Sequence, residues 1–234
     1  MPVYRLPRAI LFPDPNEAEE GLLAIGGDLS PERLVAAYSL GIFPWYNEGD
    51  PILWHSPDPR CVLLTDRVHI GRTLRRFLRQ RIYRTTFDRA FAAVVGNCQQ
   101  MLRPNQDGTW ITSEMAHAYE RLHELGLAHS VEVWKGDDLV GGMYGVSLGR
   151  MFFGESMFSQ ADNASKVALV TLAKTLRPLN FPCIDAQVAT PTTRSLGAVE
   201  WTRAHFLKVL SETLEGQTLR GSWASMPAHD MSNT

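Results

Sequence analysis

The clearest pattern along the chain is a period-two alternation of apolar and polar positions in its middle third. It runs through 130–135, 139–147 and 150–156, and short turns separate the three segments at 136–138 and 148–149. Alternation of this kind places successive side chains on opposite faces of a strand, and short turns join antiparallel neighbours. The pattern therefore predicts a three-stranded antiparallel meander.

Apolar positions spaced three and four residues apart indicate helices on either side of the meander. These segments are 71–80, 87–98, 113–125, 164–176 and 202–214. Thr112 precedes the third segment as a capping residue and Gly126 follows it, as at many helix ends. From residue 113 onward, the predicted order is helix, three strands, helix, strand and helix.

Turn-forming residues dominate the first sixty positions, where only one helix is clear. It covers 31–40, with Ser30 as its cap and Gly41 at its end. The stretch after Gly216 has little periodic apolar content, so we expect it to be irregular or frayed. We divide this α+β chain into a small N-terminal domain, a larger domain with a mixed, largely antiparallel sheet flanked by helices, and an irregular tail: 1–62, 63–215 and 216–234.

The composition excludes several classes of protein. No segment of the chain approaches the roughly 20 apolar residues of a membrane span, and the first residues lack the apolar stretch of a secretory signal. We therefore expect a cytoplasmic protein with no membrane partner. The three cysteines and seven histidines show no metal-like spacing, so neither a disulfide framework nor a metal site is predicted.

The formal net charge is only −2, but the charges are unevenly distributed. Seven arginines and no acidic residue lie between Asp66 and Asp88, and four of them share one face of the predicted helix at 71–80. Most runs of charged residues are solvent-exposed faces of a helix. Such faces usually carry both positive and negative charges, because neighbouring charges of the same sign repel each other. We therefore favour a phosphate-binding surface over a solvated face. Its candidate residues are Arg72, Arg75, Arg76, Arg79, Arg81 and Arg84.

Three polar residues stand in strongly apolar surroundings. Asp185 and Gln187 lie two residues apart in CIDAQV at 183–188, and Glu155 lies in FFGESMF at 152–158. On a strand, a spacing of two places Asp185 and Gln187 on one face. The competing interpretations are a solvent-facing strand end for this pair and a carboxylate tied by an arginine or a backbone amide for Glu155.

Soft and aromatic side chains are frequent around these positions. Met143, Phe152 and Met157 are either ordinary core or the walls of an apolar ligand pocket, since methionine adapts to ligands of different shape. Trp45 and Trp110 lie in predicted loops. A loop tryptophan either plugs an interface or stacks on a nucleobase.

Other catalytic motifs are missing. The sequence contains no G-x-S-x-G elbow, no Walker sequence and no His-Glu-x-x-His. The closely spaced glycines at 141–145 fall on a predicted strand instead of a helix N-terminus. They therefore favour close approach of a ligand or of backbone over a phosphate cradle.

Seven motifs, within a similarity that covers about residues 5–205, resemble the bacterial leucyl/phenylalanyl-tRNA–protein transferases. They are GLLAIGGDLS at 21–30, GIFPW at 41–45, SPDPR at 56–60, GTWIT at 108–112, HSVEVW at 129–134, LVGGMYG at 139–145 and GESMFS at 154–159. Motifs of this length and order are highly specific. Two positions depart from the family pattern, because His55 stands where a second tryptophan is usual and PTTR at 191–194 replaces a usual histidine.

The resemblance implies transfer of leucine or phenylalanine, and of methionine less well, from aminoacyl-tRNA to proteins that begin with Arg or Lys, which marks them for degradation. It also implies a small N-terminal domain followed by a GNAT-like acyltransferase domain. We expect a monomer that needs no cofactor. The implied site residues are Asp185 and Gln187 as the catalytic pair with Glu155 nearby, Trp45 and Trp110 at the 3′-terminal adenosine, and Met143, Phe152 and Met157 in the amino-acid pocket.

An aminoacyl ester is already activated, so the expected mechanism needs positioning and a neutral amine and no covalent nucleophile. We expect the carbonyl oxygen of Gln187 to accept a bond from the incoming α-amine while its NH₂ bonds Asp185, which receives or relays the proton. Glu155 would add negative potential that attracts the cationic N-terminal residue. The arginines would contact phosphates of the acceptor stem.

Two alternatives of different class remain open. An acyl-CoA-dependent N-acetyltransferase would share the larger domain, but it should show a glycine-rich pyrophosphate loop before a helix. A non-catalytic RNA-binding module would explain the arginines and the tryptophans. It would leave Glu155, Asp185 and Gln187 without a purpose.

Overall fold

Two sheets and seven α-helices form in a computed structural model that describes residues 3–101 and 111–227. The strands are β1 Tyr4–Arg5, β2 Leu22–Ile25, β3 Phe43–Pro44, β4 Leu53–His55, β5 Arg60–Leu64, β6 Arg84–Phe87, β7 Ala128–Lys135, β8 Asp138–Leu148, β9 Met151–Ser159, β10 Cys183–Gln187 and β11 Val199–Trp201. The helices are α1 Pro31–Ser39, α2 Arg72–Arg79, α3 Phe91–Gln100, α4 Ser113–Glu124, α5 Ala164–Leu176, α6 Pro191–Ser195 and α7 Arg203–Leu214. Among the described residues, no helix is long and apolar enough to cross a membrane.

The larger sheet carries the predicted meander. β7, β8 and β9 pair antiparallel, and the full strand order is β11-β5-β10-β9-β8-β7-β6. β10 runs parallel to β9 and antiparallel to β5, so the sheet is mixed and largely antiparallel, as predicted. The smaller sheet, in the order β1-β2-β4-β3, is built from residues that precede β5.

Most predicted helices form where the periodicity placed them. α5 covers the predicted span, and α4 begins after Thr112, whose Oγ1 accepts the N–H of Met115 at 3.1 Å. The predicted helix at 87–98 was wrong at its start, because Phe87 ends β6 and Asp88 has a φ of 52°. A left-handed residue interrupts helical backbone, so α3 begins at Phe91.

The short strands were not predicted. β1 to β6 and β11 have only two to five residues each. Such segments are too short for a clear alternation, and they become strands only when a neighbour pairs with them. Long, periodic elements are visible in the sequence, whereas short edge elements depend on tertiary contacts.

Both faces of the larger sheet are covered by apolar side chains. One cluster places Tyr144 and Phe153 of the sheet against α3 and α4, together with Tyr38 and Trp54 from the N-terminal part. The other places Met143, Phe152 and Ile184 against α2 and α5. The boundary at residue 62 stays a prediction, since the first cluster contains residues from both sides of it.

The glycines of β8 permit close packing of the protein itself. A Cβ on Gly141 would lie 2.4 Å from the Cβ of Ala164 in α5, and one on Gly145 would lie 2.1 Å from the carbonyl oxygen of Phe153 in β9. Neither distance is sterically possible. Close approach of backbone and helix therefore explains the glycine pattern at these two positions.

Residues 216–227 lack regular secondary structure, as predicted, but they are not frayed. The ring of Trp223 is 2% exposed and stacks on His129 with 3.7 Å between centroids. Its backbone N–H donates to Asp88 at 2.7 Å. The buried tryptophan and backbone contacts such as that of Gly221 with Gly126 hold this segment, and periodicity cannot reveal such anchors. The rest of the predicted tail, 228–234, lies outside the described residues.

Candidate active site

A cavity of about 640 Å³ lies where β10 ends, beside β9 and α6. Its apolar walls come from Met143, Met157, Leu169 and Ile184. Glu155, Asp185 and Gln187 contribute its charged and amide groups, and Thr190, Thr192 and Thr193 contribute hydroxyl-bearing side chains. The structure thus brings together the three polar residues that the sequence singled out.

The carboxylate of Asp185 is fully buried and is committed to Arg60, which begins β5. The Nε and Nη2 atoms of Arg60 donate to Oδ1 and Oδ2 of Asp185 at 2.8 and 2.7 Å. The guanidinium is 1% exposed and lies between two aromatic rings, 4.9 Å from the centroid of Phe43 and 4.5 Å from that of Phe206. A buried carboxylate needs such a partner, because an unpaired charge in this environment would be strongly destabilising.

A β-bulge sets the direction of the Gln187 side chain. Asp185 pairs with Val62 and Gln187 with Cys61, so Ala186 is an extra residue in β10. Gln187 has a φ of 51°, a left-handed conformation that costs a non-glycine residue roughly 1 kcal/mol. Its backbone N–H donates to Oδ1 of Asp185 at 2.9 Å, which holds this conformation.

The predicted hydrogen bond between the side chains of Gln187 and Asp185 was wrong, because the bulge gives both the side chain and the backbone of Gln187 other roles. The NH₂ of Gln187 donates to Oε1 of Glu155, with 3.2 Å between the heavy atoms, and the backbone of Gln187 is what bonds Asp185. Simple strand alternation predicted one shared face, but the bulge turns the Gln187 amide toward β9. The carbonyl oxygen of this amide is then the group that can accept a bond from a substrate.

Glu155 lines the cavity and has a pKa near neutral pH. Its carboxyl is almost fully buried, and Oε2 accepts the hydroxyl of Tyr119 at 2.7 Å. Burial raises the pKa of Glu155 to about 7, hydrogen bonds from Tyr119 and Tyr38 and the charge of Arg60 lower it, and the charge of Asp185 raises it. A carboxyl with this pKa can both accept and return a proton at physiological pH.

Two buried tyrosines support Glu155 from behind. The hydroxyl groups of Tyr38 in α1 and Tyr119 in α4 lie 2.6 Å apart. Burial raises the pKa of each hydroxyl well above its usual value, so both stay protonated. They act as fixed hydrogen-bonding groups that connect the N-terminal part of the chain to the cavity.

The three residues expected in the amino-acid pocket lie in two places. Met143 and Met157 line the cavity, as the sequence suggested. Phe152 is instead buried in the apolar cluster on the α5 side, where its ring lies 5.9 Å from that of Trp223.

Of the two loop tryptophans, only Trp45 lies in the described part of the chain. It follows β3, is 38% exposed, and its ring lies 5.6 Å from that of His55. Nε2 of His55 lies 3.1 Å from the carbonyl oxygen of Trp45. Burial lowers the pKa of His55, which favours the neutral form of this ring. Trp110 lies outside the described residues.

The arginine stripe forms as predicted on α2. Leu74 and Leu78 are buried, and the arginines of this helix are on the exposed side. Arg81 follows the helix with a φ of 51°, and the guanidinium of Arg84 lies 5.4 Å from the ring of Trp134. The surface consists of Arg72, Arg75, Arg76, Arg79, Arg81 and Arg84, all exposed. Its phosphate-binding role remains a prediction.

Sequence reasoning missed Arg60, Tyr38 and Tyr119 as parts of this site. Arg60 was visible only as the end of the SPDPR motif, directly before the apolar run of β5. Tyr119 lies on the buried face of α4 and is indistinguishable in sequence from an ordinary core residue. In the described ranges, no group of three or more His, Cys, Asp or Glu side chains is placed to hold a metal ion.

Comparison with known proteins gives one consistent family. Residues 62–211 match the family described as leucyl/phenylalanyl-tRNA protein transferase, and residues 27–58 match the N-terminal domain of the same family. The leucyl/phenylalanyl-tRNA–protein transferase of Myxococcus xanthus (strain DK1622) is 53% identical over 98% of this chain and 100% of its own length. That of Anaeromyxobacter sp. (strain Fw109-5) is 56% identical over 95% of each chain.

Solved structures are more distant. A conserved protein of unknown function from Staphylococcus epidermidis ATCC 12228 aligns with 77% of this chain and 68% of its own, with a TM-score of 0.40 and 10% identity. The close relatives in sequence therefore carry the assignment.

Proposed function

The chain belongs to the leucyl/phenylalanyl-tRNA–protein transferase family, and from this premise we propose that it transfers Leu or Phe, and Met less efficiently, to the N-terminal α-amine of proteins that begin with Arg or Lys. The product would be an N-degron that directs the protein to degradation. The observation that carries this proposal is the buried cluster of Glu155, Gln187, Asp185 and Arg60 at the cavity.

The proposed catalytic unit is a GNAT-like domain at 63–215 that follows a small N-terminal domain at 1–62, and the enzyme acts as a monomer. The mixed sheet with β10 parallel to β9 supports the fold-level part of this proposal. β10 ends at Gln187 and opens the cavity there, which is where a substrate would meet the sheet.

The amine is activated by Gln187 and Glu155. The carbonyl oxygen of Gln187 accepts one N–H of the neutral α-amine and orients its lone pair toward the ester carbon of the aminoacyl-tRNA. As the C–N bond forms, the carboxylate of Glu155 accepts a proton from the amine nitrogen. When the bond from the ester carbon to the ribose oxygen breaks, Glu155 returns the proton to that oxygen.

Asp185 takes a positioning role in this scheme. Both of its oxygens are engaged by Arg60, and Oδ1 also accepts the backbone N–H of Gln187. Proton transfer to Asp185 would neutralise its carboxylate and break the doubly hydrogen-bonded ion pair with Arg60. The proton acceptor is therefore Glu155, and Asp185 holds Gln187 in its left-handed conformation.

The donor side chain fits the apolar part of the cavity. Met143, Met157, Leu169 and Ile184 offer flexible, unbranched or branched apolar surfaces that suit Leu, Phe and Met. Trp45 and Trp110 stack on the 3′-terminal adenosine, and the arginine surface on α2 contacts acceptor-stem phosphates. The aminoacyl-tRNA is thus held at its amino-acid side chain, at its terminal base and at the phosphates of its acceptor stem.

Acceptor preference follows from the charge of the cluster. The Arg60 guanidinium neutralises Asp185, so ionised Glu155 leaves one net negative charge beside the reacting amine. This field favours an acceptor whose first side chain is cationic. A neutral first residue gains nothing from it.

The test is transfer of labelled Leu from Leu-tRNA to a peptide that begins with Arg, with an otherwise identical Ala-initiated peptide as the control. We expect label in the Arg peptide only. Acetyl-CoA, offered as the donor in a parallel reaction, should give no acetylated peptide. Transfer from acetyl-CoA without transfer from Leu-tRNA would overturn the proposal in favour of an N-acetyltransferase.

A further inference from the structure

We infer that Arg60 is a positioning residue for aminoacyl transfer, which fixes the end of β10 against the loop that carries Trp45. This inference rests on the proposed function, because it concerns the alignment of donor and acceptor in that reaction. It assigns a role to a side chain that lies behind the cavity wall and does not line the cavity.

The guanidinium of Arg60 joins two segments that belong to different parts of the chain. Nε and Nη2 hold the carboxylate of Asp185 in β10, and Nη1 donates to the carbonyl oxygen of Gly41 at 3.1 Å. Gly41 begins the GIFPW segment at 41–45, in which Phe43 lies against the guanidinium and Trp45 is exposed. One side chain therefore ties the acceptor-activating strand to the loop proposed to hold the adenosine.

The network continues from Asp185 to the reacting amide. Oδ1 of Asp185 accepts both Nε of Arg60 and the backbone N–H of Gln187, and the NH₂ of Gln187 donates to Glu155. A shift of the guanidinium would release the strained conformation at Gln187 and misdirect its amide. Misplacement of about 1 Å at a reacting group costs as much as about 100-fold in rate.

A lysine cannot reproduce this arrangement. Its single ammonium group carries charge but cannot present a planar fork to both oxygens of Asp185 while it also reaches Gly41. It also lacks the flat surface that packs between the rings of Phe43 and Phe206. Arg60→Lys therefore keeps the positive charge and removes the planar geometry of the guanidinium.

The chain offers a matched control in Arg33. Its side chain is also fully buried, pairs with Asp28 at 3.4 Å, and donates to the backbone oxygens of Pro7 and Arg8. None of these partners is among the residues that line the cavity. Arg33→Lys should weaken folding to a similar degree and leave the chemistry of correctly folded molecules unchanged.

The experiment is single-turnover transfer of Leu from Leu-tRNA to the Arg peptide with enzyme in saturating excess. Under these conditions, the rate constant reports the folded molecules, and a loss of folded protein appears in the amplitude. We expect the rate constant of Arg60→Lys to fall about 10- to 100-fold, and that of Arg33→Lys to match the wild type. Equal rate constants for the two variants would overturn the inference.

A further variant keeps the inference testable if Arg60→Lys does not fold. Phe206→Leu removes one of the two rings that pack on the guanidinium and leaves the ion pair with Asp185 in place. It should lower the rate constant in the same direction by a smaller factor. An unchanged rate constant in this variant would contradict the role. A wild-type enzyme that fails to label the Arg peptide would overturn the proposed function instead.

Discussion

The side-chain amide of Gln187 donates to the carboxylate of Glu155, with 3.2 Å between Nε2 and Oε1. The two carboxylates in the cavity have different surroundings. Asp185 is paired with Arg60 and holds the backbone of Gln187, whereas Glu155 has a pKa of about 7 and faces the amide that we propose orients the acceptor. The consequences can be tested one side chain at a time.

Glu155→Gln should make the protein more stable at alkaline pH. Burial raises the pKa of Glu155 in the folded state, so the unfolded chain ionises first, and stability is lost as pH rises from the usual Glu range to about 7. Above that range the buried charge costs roughly 3 kcal/mol, which the amide avoids. Thermal unfolding at pH 8 should show a higher Tm for the variant, and the two Tm values should converge near pH 4.

The control for this prediction is Glu114→Gln, at an exposed position in the first turn of α4. It should show no gain at pH 8. A Glu155→Gln variant with the same Tm as the wild type at both pH values would show that Glu155 carries no buried charge.

Gln187→Ala should reduce transfer by about 100-fold or more, in the range that is typical of a missing acid–base or orienting group. Asp185→Ala should act in the same direction, because it releases the bulge that aims Gln187. Both variants should bind Leu-tRNA normally, since the arginine surface lies elsewhere. Val188→Ala, at the exposed neighbouring position, is the matched control and should keep full activity.

Single-turnover rates and Leu-tRNA binding isotherms on the same preparations check this prediction. Full transfer activity in Gln187→Ala would remove the amide from the mechanism. Loss of Leu-tRNA binding in either variant would instead place the pair on the donor side.

The sequence placed Asp185 and Gln187 close together in an apolar strand but left a solvent-facing strand end as an alternative, and both residues line the cavity. The contacts between them were not predictable. Alternation assumes a regular strand, and the bulge at Ala186 depends on pairing between β10 and β5. The partner that fixes Asp185 is Arg60, 125 residues away in the chain, and no local pattern connects them.

The same limit applies to Glu155. Its apolar neighbourhood indicated burial, and burial is the main cause of its raised pKa. The tyrosines that bond it come from α1 and α4, which reach the sheet only after the chain has folded. Local periodicity indicated the long elements, whereas the hydrogen-bond network required the tertiary structure.

Replacing four arginines of α2 with Gln should flatten the salt dependence of Leu-tRNA binding. Each arginine that no longer neutralises a phosphate reduces the slope of log K against log salt by about one. The variant combines Arg72→Gln, Arg75→Gln, Arg76→Gln and Arg79→Gln, and its control combines the exposed Arg5→Gln and Arg8→Gln. Binding titrations over a range of salt concentrations measure both slopes. An unchanged slope in the fourfold variant would mean that α2 presents an ordinary solvated face.

Tyr119→Phe should shift the acid limb of the pH–rate profile to higher pH. This limb is the rise of the rate constant with pH as Glu155 loses its proton. The hydroxyl of Tyr119 donates to Glu155 and lowers the pKa of that carboxyl, so its removal raises the pKa while the ring still fills its place. The measurement is the single-turnover rate constant across pH 5 to 9. Tyr83→Phe, which removes a hydroxyl that donates to the Asp162 backbone, is the control and should leave the limb in place. If the acid limb of Tyr119→Phe lies at the same pH as that of the wild type, the Tyr119 hydroxyl has no influence on the group that accepts the proton.

The most direct test of Glu155 as the proton acceptor is the pH dependence of this rate constant with two Arg-initiated peptides whose α-amines differ in pKa. We predict two acid limbs in the wild type: one that moves with the peptide and one that stays at a pH of about 7 with both peptides. Glu155→Gln should lower the rate and abolish the fixed limb. A wild-type profile that follows the peptide amine alone, or a fixed limb that survives in Glu155→Gln, would contradict the assignment of Glu155.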